Sequence, residues 1–383
     1  MSRLLTKKNV YRGAECMAEH PYKSAPAHTS WRRAVGAPKP REVDPVVNFG
    51  IHIGRNSKVA TAGSCFAQHI ARHLKKSGFN YYVAEPGHPI LPESVRLANN
   101  CGLFSARYGN IYTARQLLQL LQRAYGLYQP IEDCWKEKED VFLDPFRPSS
   151  QPGGFISELE MRVDREQHLA AVRQMFETLD VFVFTLGLTE YWMSRADGAV
   201  FPICPGVEGG EFDESRHALA NGTVEDVVSD MSSFLRHLAR VNPKAGVILT
   251  VSPVPLAATA RRDQHVLTAT TYSKSVLRVA AETLVSRFGH VHYFPSYVII
   301  TGSFSRGAYY ADDLRNVMEN GVSHLMELFI KHATADSPEG ERSQEAPAEA
   351  KASEAPPPHP SDHHSFAARF VQVECDEAGL DPE

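Results

Sequence analysis

A doubly wound α/β fold around a parallel sheet is predicted by three features of the chain. Short apolar runs are bounded by turn or helix signals, helical stretches separate them, and small or polar residues stand where the runs end. The runs at residues 59–62, 80–84, 181–186, 246–251 and 291–294 read as five strands. Three of them, at 181–184, 247–249 and 291–294, have the short, bounded form of strands buried on both faces. Helical patterns fall at 68–74, 112–125, 165–179, 223–240, 272–287 and 321–332. The clearest is 223–240, where Val224, Val227, Val228, Met231, Leu235 and Leu238 recur at helical spacing. A Thr223-x-x-Asp226 capping box precedes them and Pro243 follows. Alternating strands and helices imply right-handed crossovers.

The second and third runs are separated by about a hundred residues, far more than a βα connection needs, so a long inserted subdomain or lid is expected there. Residues 1–44 read as a locally basic surface arm and 45–332 as the folded domain. Residues 333–383 read as a Pro/Ala/Glu-rich disordered tail, whose His359, His363 and His364 reflect composition. The 383 residues are 43% hydrophobic, enough for a substantial core. A formal charge of −5 gives no overall basic field, so nucleic acid and anionic membrane are not expected as principal partners. No run is long enough to span a bilayer, and Met1 to Lys8 lack the apolar core of a secretion signal, so the cytoplasm is the expected compartment.

Six cysteines, Cys16, Cys65, Cys101, Cys134, Cys204 and Cys375, stand singly. Neither a zinc site nor a disulfide framework is indicated. Cys65 differs from the rest because Gly63-Ser64-Cys65 lies on the turn from the first strand into a helix. In parallel α/β sheets ligand sites lie outside the carboxyl ends of the strands, and a helix N-terminus lowers a thiol pKa. Two further groups end strands or turns in the same register: Gly187-Leu188-Thr189-Glu190 after the third strand, and Asp312-Asp313 beyond the fifth. In the insertion, Arg107-Tyr108-Gly109-Asn110 suits a tight turn that presents an N–H and an amide to an oxyanion.

Gly63-Ser64-Cys65-Phe66-Ala67 resembles the signature of the GSCFA-domain family. Four motifs extend the resemblance over roughly residues 45–332: Gly187-Leu188-Thr189-Glu190, Ser252-Pro253-Val254-Pro255-Leu256, Tyr272-Ser273-Lys274-Ser275 and Tyr309-Tyr310-Ala311-Asp312-Asp313. That family is regarded as related to the SGNH/GDSL hydrolases, flavodoxin-like esterases and O-acyl transferases. The resemblance therefore implies a nucleophile at Cys65, which occupies the third place of the hydrolase turn, or at Ser64 in the second. It implies an oxyanion site built from Gly109, Asn110, Gly187 and Thr189 with Glu190 alongside, and Asp313 in the orienting position. Where the hydrolases carry Asp-x-x-His, this chain has Asp313-Leu314-Arg315-Asn316. Losing a general base removes roughly 10²–10⁴-fold of rate. His217, His265, His324 and Lys274 are candidate substitutes, each with a structural role as the alternative; Tyr309 and Tyr310 read as core or pocket aromatics.

The function expected on this basis is ester hydrolysis or O-acyl transfer, with a small-molecule or carbohydrate ester as substrate. No metal or redox cofactor is implied, and coenzyme A or another acyl carrier is the expected donor if the reaction is transfer. The alternative is a non-catalytic acyl- or glycan-binding protein on the same fold.

Overall fold

A computed structural model describes residues 20, 22–138 and 140–334. Cys16, Cys375, the His359 cluster and the expected tail lie outside the described residues. The run at 59–62 opens the sheet as β1 (Val59–Ala62), every residue buried, and the chain turns at once into α1 (Cys65–Lys76). The long insertion then supplies α2 (Glu93–Ala98), α3 (Ala114–Ala124), a hairpin of β2 (Trp135–Lys138) and β3 (Val141–Leu143), and α4 (Glu158–Thr178). The chain returns as β4 (Val181–Leu186), leaves again through β5 (Glu190–Ser194), β6 (Val200–Phe201) and β7 (His217–Asn221), and closes with α5 (Val224–Val241), β8 (Gly246–Val251), α6 (Val266–Arg287), β9 (Val291–Tyr293), α7 (Ser296–Thr301) and α8 (Glu319–Ala333).

The central sheet is parallel, in the order β1-β4-β8-β9. Side chains alternate across it, because successive Cβ atoms on a strand point to opposite faces. Ala60, Ala62, Phe182, Phe184, Val247 and Leu249 meet α3, α4, α5 and α6 on one face. On the other, Val59, Val181, Val183 and Ile248 meet α1, α7 and α8. A smaller apolar cluster of Trp135, Leu143, Phe146, Ala199 and Phe201 joins the β2–β3 hairpin to the antiparallel sheet β6-β5-β7. Among the described residues no helix is long and apolar enough to cross a membrane.

The run at 80–84 does not become a strand. It makes one parallel bridge, Val59 with Tyr81, through Val59 N to Asn80 O at 3.1 Å and Tyr82 N to Val59 O at 2.8 Å. Beyond that the β1 edge is taken by the insertion: Thr61 N donates to Ser105 Oγ at 2.9 Å, and Tyr108 Oη donates to Thr61 O. Ala84 N meanwhile leaves for Ser105 O at 2.7 Å. The sheet accordingly has four strands where five were expected.

The N-terminal arm is anchored at its end. Val43, Val46 and Ile53 are buried, Ile53 N donates to Ala333 O at 2.6 Å, and Asp44 accepts from Lys331 Nζ at 2.9 Å and pairs with His332 Nε2 at 2.7 Å.

Candidate active site at the carboxyl ends of the parallel strands

Gly63 has φ near 149°, and a Cβ there would lie 2.7 Å from Thr185 Cβ, so the turn that leaves β1 accepts no side chain. Ser64 follows in extended geometry as the residue before α1, and it is 4% exposed. Cys65 is the first residue of α1, which aims its N-terminal amides at this end of the sheet.

Three loops are stitched together here by backbone hydrogen bonds. Ile111 N donates to Gly63 O at 2.9 Å, while Tyr112 O accepts from Gly187 N at 3.0 Å and from Leu188 N at 2.9 Å. The Asn110–Tyr112 segment thus ties the end of β1 to the end of β4. Gln116, buried on α3, holds it from behind, its Nε2 donating to Asn110 O at 2.9 Å and its Oε1 accepting from Tyr112 N at 2.9 Å. A Cβ on Gly187 would stand 3.0 Å from Tyr112 O, a proximity that favours the smallest residue.

From the far side α6 grips the second loop. Lys274 Nζ, only 1% of the residue being exposed, donates to Gly187 O at 2.7 Å, and Ser273 Oγ accepts from Thr189 N at 3.0 Å. The amides of Gly187, Leu188 and Thr189 are therefore committed. What Thr189 leaves available is its hydroxyl, which is buried with no hydrogen-bond partner among the described residues. Asn110 is 4% exposed, and Gly109 has φ of 69° with open space where a side chain would stand. Glu190 opens β5 and accepts from Thr259 Oγ1 at 2.9 Å on both carboxylate oxygens; burial raises its pKa above the ordinary carboxylate value against that hydrogen bond.

The last motif approaches through Tyr310, whose Oη donates to Pro253 O at 2.8 Å just beyond β8. Asp313 is exposed, and its carboxylate accepts from Arg315 N at 3.0 Å, Asn316 N at 2.9 Å and Asn316 Nδ2 at 2.5 Å. Burial acts to raise this carboxyl, but those donors outweigh it and hold it below its ordinary value. The Asp313–Asn316 segment is thus a self-contained turn, its carboxylate bonded to the amides that follow it.

The candidate bases are engaged elsewhere. His217 is buried on β7 between Glu132, with Nε2 to Oε2 at 3.0 Å, and Asp213 N. His265 caps α6 by accepting from Leu267 N, and His324 lies 2.9 Å from Tyr309 Oη in the core. Among the described residues no imidazole is hydrogen-bonded to Ser64. One histidine outside the expected set does sit close by in the chain. His69 is one helical turn beyond position 65, and burial, reinforced by Arg72 and His73, lowers its pKa to about 4. The Cys65-x-x-x-His69 spacing is the signal that marks it.

Strand-end loops joined in this way, with a helix N-terminus and a buried hydroxyl beside them, define an α/β protein whose candidate site lies at the carboxyl edge of its parallel sheet, where such folds place their ligands. The model of the GSCFA family matches residues 58–329, and the chain belongs to that family. No curated protein matches it.

Proposed function

We propose that the protein is an acyl-handling enzyme, an ester hydrolase or O-acyl transferase of the SGNH-like class. The observation that carries this reading is the hydrogen-bonded junction of the Gly63, Asn110–Tyr112 and Gly187–Thr189 loops, with the unpartnered Thr189 hydroxyl buried beside it. The sheet supports the same reading: its four parallel strands run in the order β1-β4-β8-β9 with the single bridge at Tyr81 beside β1, an arrangement compatible with a flavodoxin-like fold.

In this reading Cys65 or Ser64 attacks the acyl carbonyl. The carbonyl oxygen becomes an oxyanion that Thr189 Oγ1 and the Asn110 amide stabilise by donating to it. As the oxyanion collapses, the bond from the acyl carbon to the leaving group breaks, expelling an alkoxide from an oxygen ester or a thiolate from an acyl carrier; the alkoxide takes its proton from solvent, and the acyl group stays on the nucleophile. Water or an acceptor hydroxyl, carbohydrate being the class favoured by family analogy, attacks next and frees the nucleophile. A thiolate at the start of α1 needs no base for the first step, whereas a serine does. Where transfer is the reaction, coenzyme A or another acyl carrier supplies the acyl group.

The test is turnover of p-nitrophenyl acetate by the wild type, Cys65→Ala and Ser64→Ala, with intact mass spectrometry to trap an acetyl adduct. An adduct and turnover lost in Cys65→Ala identify the thiol; loss only in Ser64→Ala identifies the serine. No adduct and no turnover with any acyl donor tried would favour the second reading, a non-catalytic acyl- or glycan-binding protein. The Asp313–Asn316 contact is the observation on that side, because an amide stands where a base is needed.

A further inference from the structure

The insertion between β1 and β4 buries a network of charged groups. Asp144 accepts from Arg147 Nε at 2.9 Å and Arg165 Nε at 3.0 Å, and Asp164 accepts from Arg107 Nη1 at 2.7 Å and Arg147 Nη2 at 2.5 Å. Asp133 pairs with Arg162 and Arg165, and Glu85 lies 2.6 Å from His168 Nδ1. These carboxylates are committed, yet two guanidinium groups keep unused donors. Arg123 lies over the Phe146 ring, 3.9 Å from its centroid, and forms no ion pair with a carboxylate among the described residues. Arg147, 2% exposed, has a buried Nη1 with no hydrogen-bond partner among the described residues.

Both arginines wall a cavity of about 20 Å³, room for a single water-sized occupant, together with Gln116, Gln119, Phe146 and His168. The two glutamine amides are already occupied: Gln116 holds Asn110 O and Tyr112 N, while Gln119 holds Gly198 O and Val200 N. The donors left over at the cavity include both guanidinium groups. Burial, reinforced by Arg165 and Arg147, lowers the Arg123 pKa to about 10 against the pull of the Asp144 carboxylate.

We propose that this cavity binds one small monovalent anion of about chloride size, held between the Arg123 guanidinium and Arg147 Nη1. Water offers these donors an acceptor but no charge, and sulfate or phosphate exceeds the space. The site stands independently of the acyl chemistry. Gln116 is its link to the rest of the molecule, because it walls the cavity and also clamps the Asn110–Tyr112 segment.

Thermal unfolding of the full chain in sodium chloride, bromide, sulfate and gluconate at matched ionic strength provides the test. The expected result is a saturable rise in Tm with chloride and bromide, about 5 °C at a hundredfold excess over the dissociation constant, that sulfate and gluconate do not produce. Arg123→Met, which keeps an apolar stem on Phe146, should abolish the halide response. Crystals soaked in bromide should show an anomalous peak between Arg123 and Arg147, and this measurement decides the matter where the variant fails to fold. The proposal is overturned if Tm tracks ionic strength alike in all four salts, if Arg123→Met retains the full halide response, or if the bromide map shows water alone in the cavity.

Discussion

Cys65 belongs to a turn whose chemistry depends on position more than on residue type, and the thiols described elsewhere in the fold sharpen the contrast. Burial raises the pKa of Cys101 and Cys134, and that of Cys204 to about 11. In the folded protein iodoacetamide should therefore alkylate Cys65 ahead of these three, as read by peptide mass spectrometry over time at about pH 7.5. Equal labelling of Cys65 and Cys204 would remove the case for a thiol nucleophile. Thr189→Val deletes the unpartnered hydroxyl at constant shape, so kcat should fall by about 10²-fold with KM little changed if that hydroxyl meets the oxyanion. Asn316→His places an imidazole at a position Asp313 already grips, and hydrolysis should rise only where the remaining site is assembled. Much of this was legible in the residues: the Gly63 turn, the Gly187 loop and the Asp313-Leu314-Arg315-Asn316 sequence are all visible in the chain. His69 was harder to read because its neighbours in the sequence form a simple amphipathic helix pattern, and its burial is set by tertiary packing.

At the scale of elements, the strands β4 and β8 fall at the bounds their apolar runs announced, since a strand enclosed on both faces has no polar positions to blur it. The cap of α5 was equally plain: Thr223 Oγ1 accepts from Asp226 N at 3.2 Å and Asp226 Oδ2 accepts from Thr223 N at 2.9 Å. Thr223→Ala should cost about 1 kcal/mol, seen as a lower urea midpoint at unchanged m. The antiparallel sheet β6-β5-β7 went unannounced. β5 and β7 are mostly half-buried, and β7 is His217-Ala218-Leu219-Ala220-Asn221, a composition that does not favour strands. Residues 80–84 failed in the opposite sense. Their Tyr81-Tyr82-Val83 run suits a strand, but Ser105 and Tyr108 claim the edge on which it would have extended.

Across the whole molecule, pH reaches stability through groups far apart in the chain. An unfolded His69 takes up its proton below about 6.5, whereas the folded one resists until about 4, so falling pH through that window favours the unfolded state. The loss should be on the order of 3 kcal/mol by about pH 4, and His69→Gln should flatten that part of the Tm profile. Glu85 adds a lower window. Burial opposes its charge, but His168 and the Arg107 amide more than compensate and bring its pKa to about 2, so its contribution is present above about 4.5 and is lost as pH falls toward 2. The arm contributes through its buried end: removing residues before 43 should leave Tm nearly unchanged, while removal through 53 takes Val43, Val46 and Ile53 from the core and should prevent folding.

The stitch between Gly63, Tyr112 and Gly187 also fixes a tempo. Amide protons in connecting loops ordinarily exchange with solvent through small, frequent openings, but those of Ile111, Gly187 and Leu188 are held by carbonyls on other segments of the chain. Releasing any of them means parting the ends of β1 and β4. In deuterated buffer these three amides should remain protonated as long as those of the central sheet, making this junction of loops as slow to open as the strands beneath it.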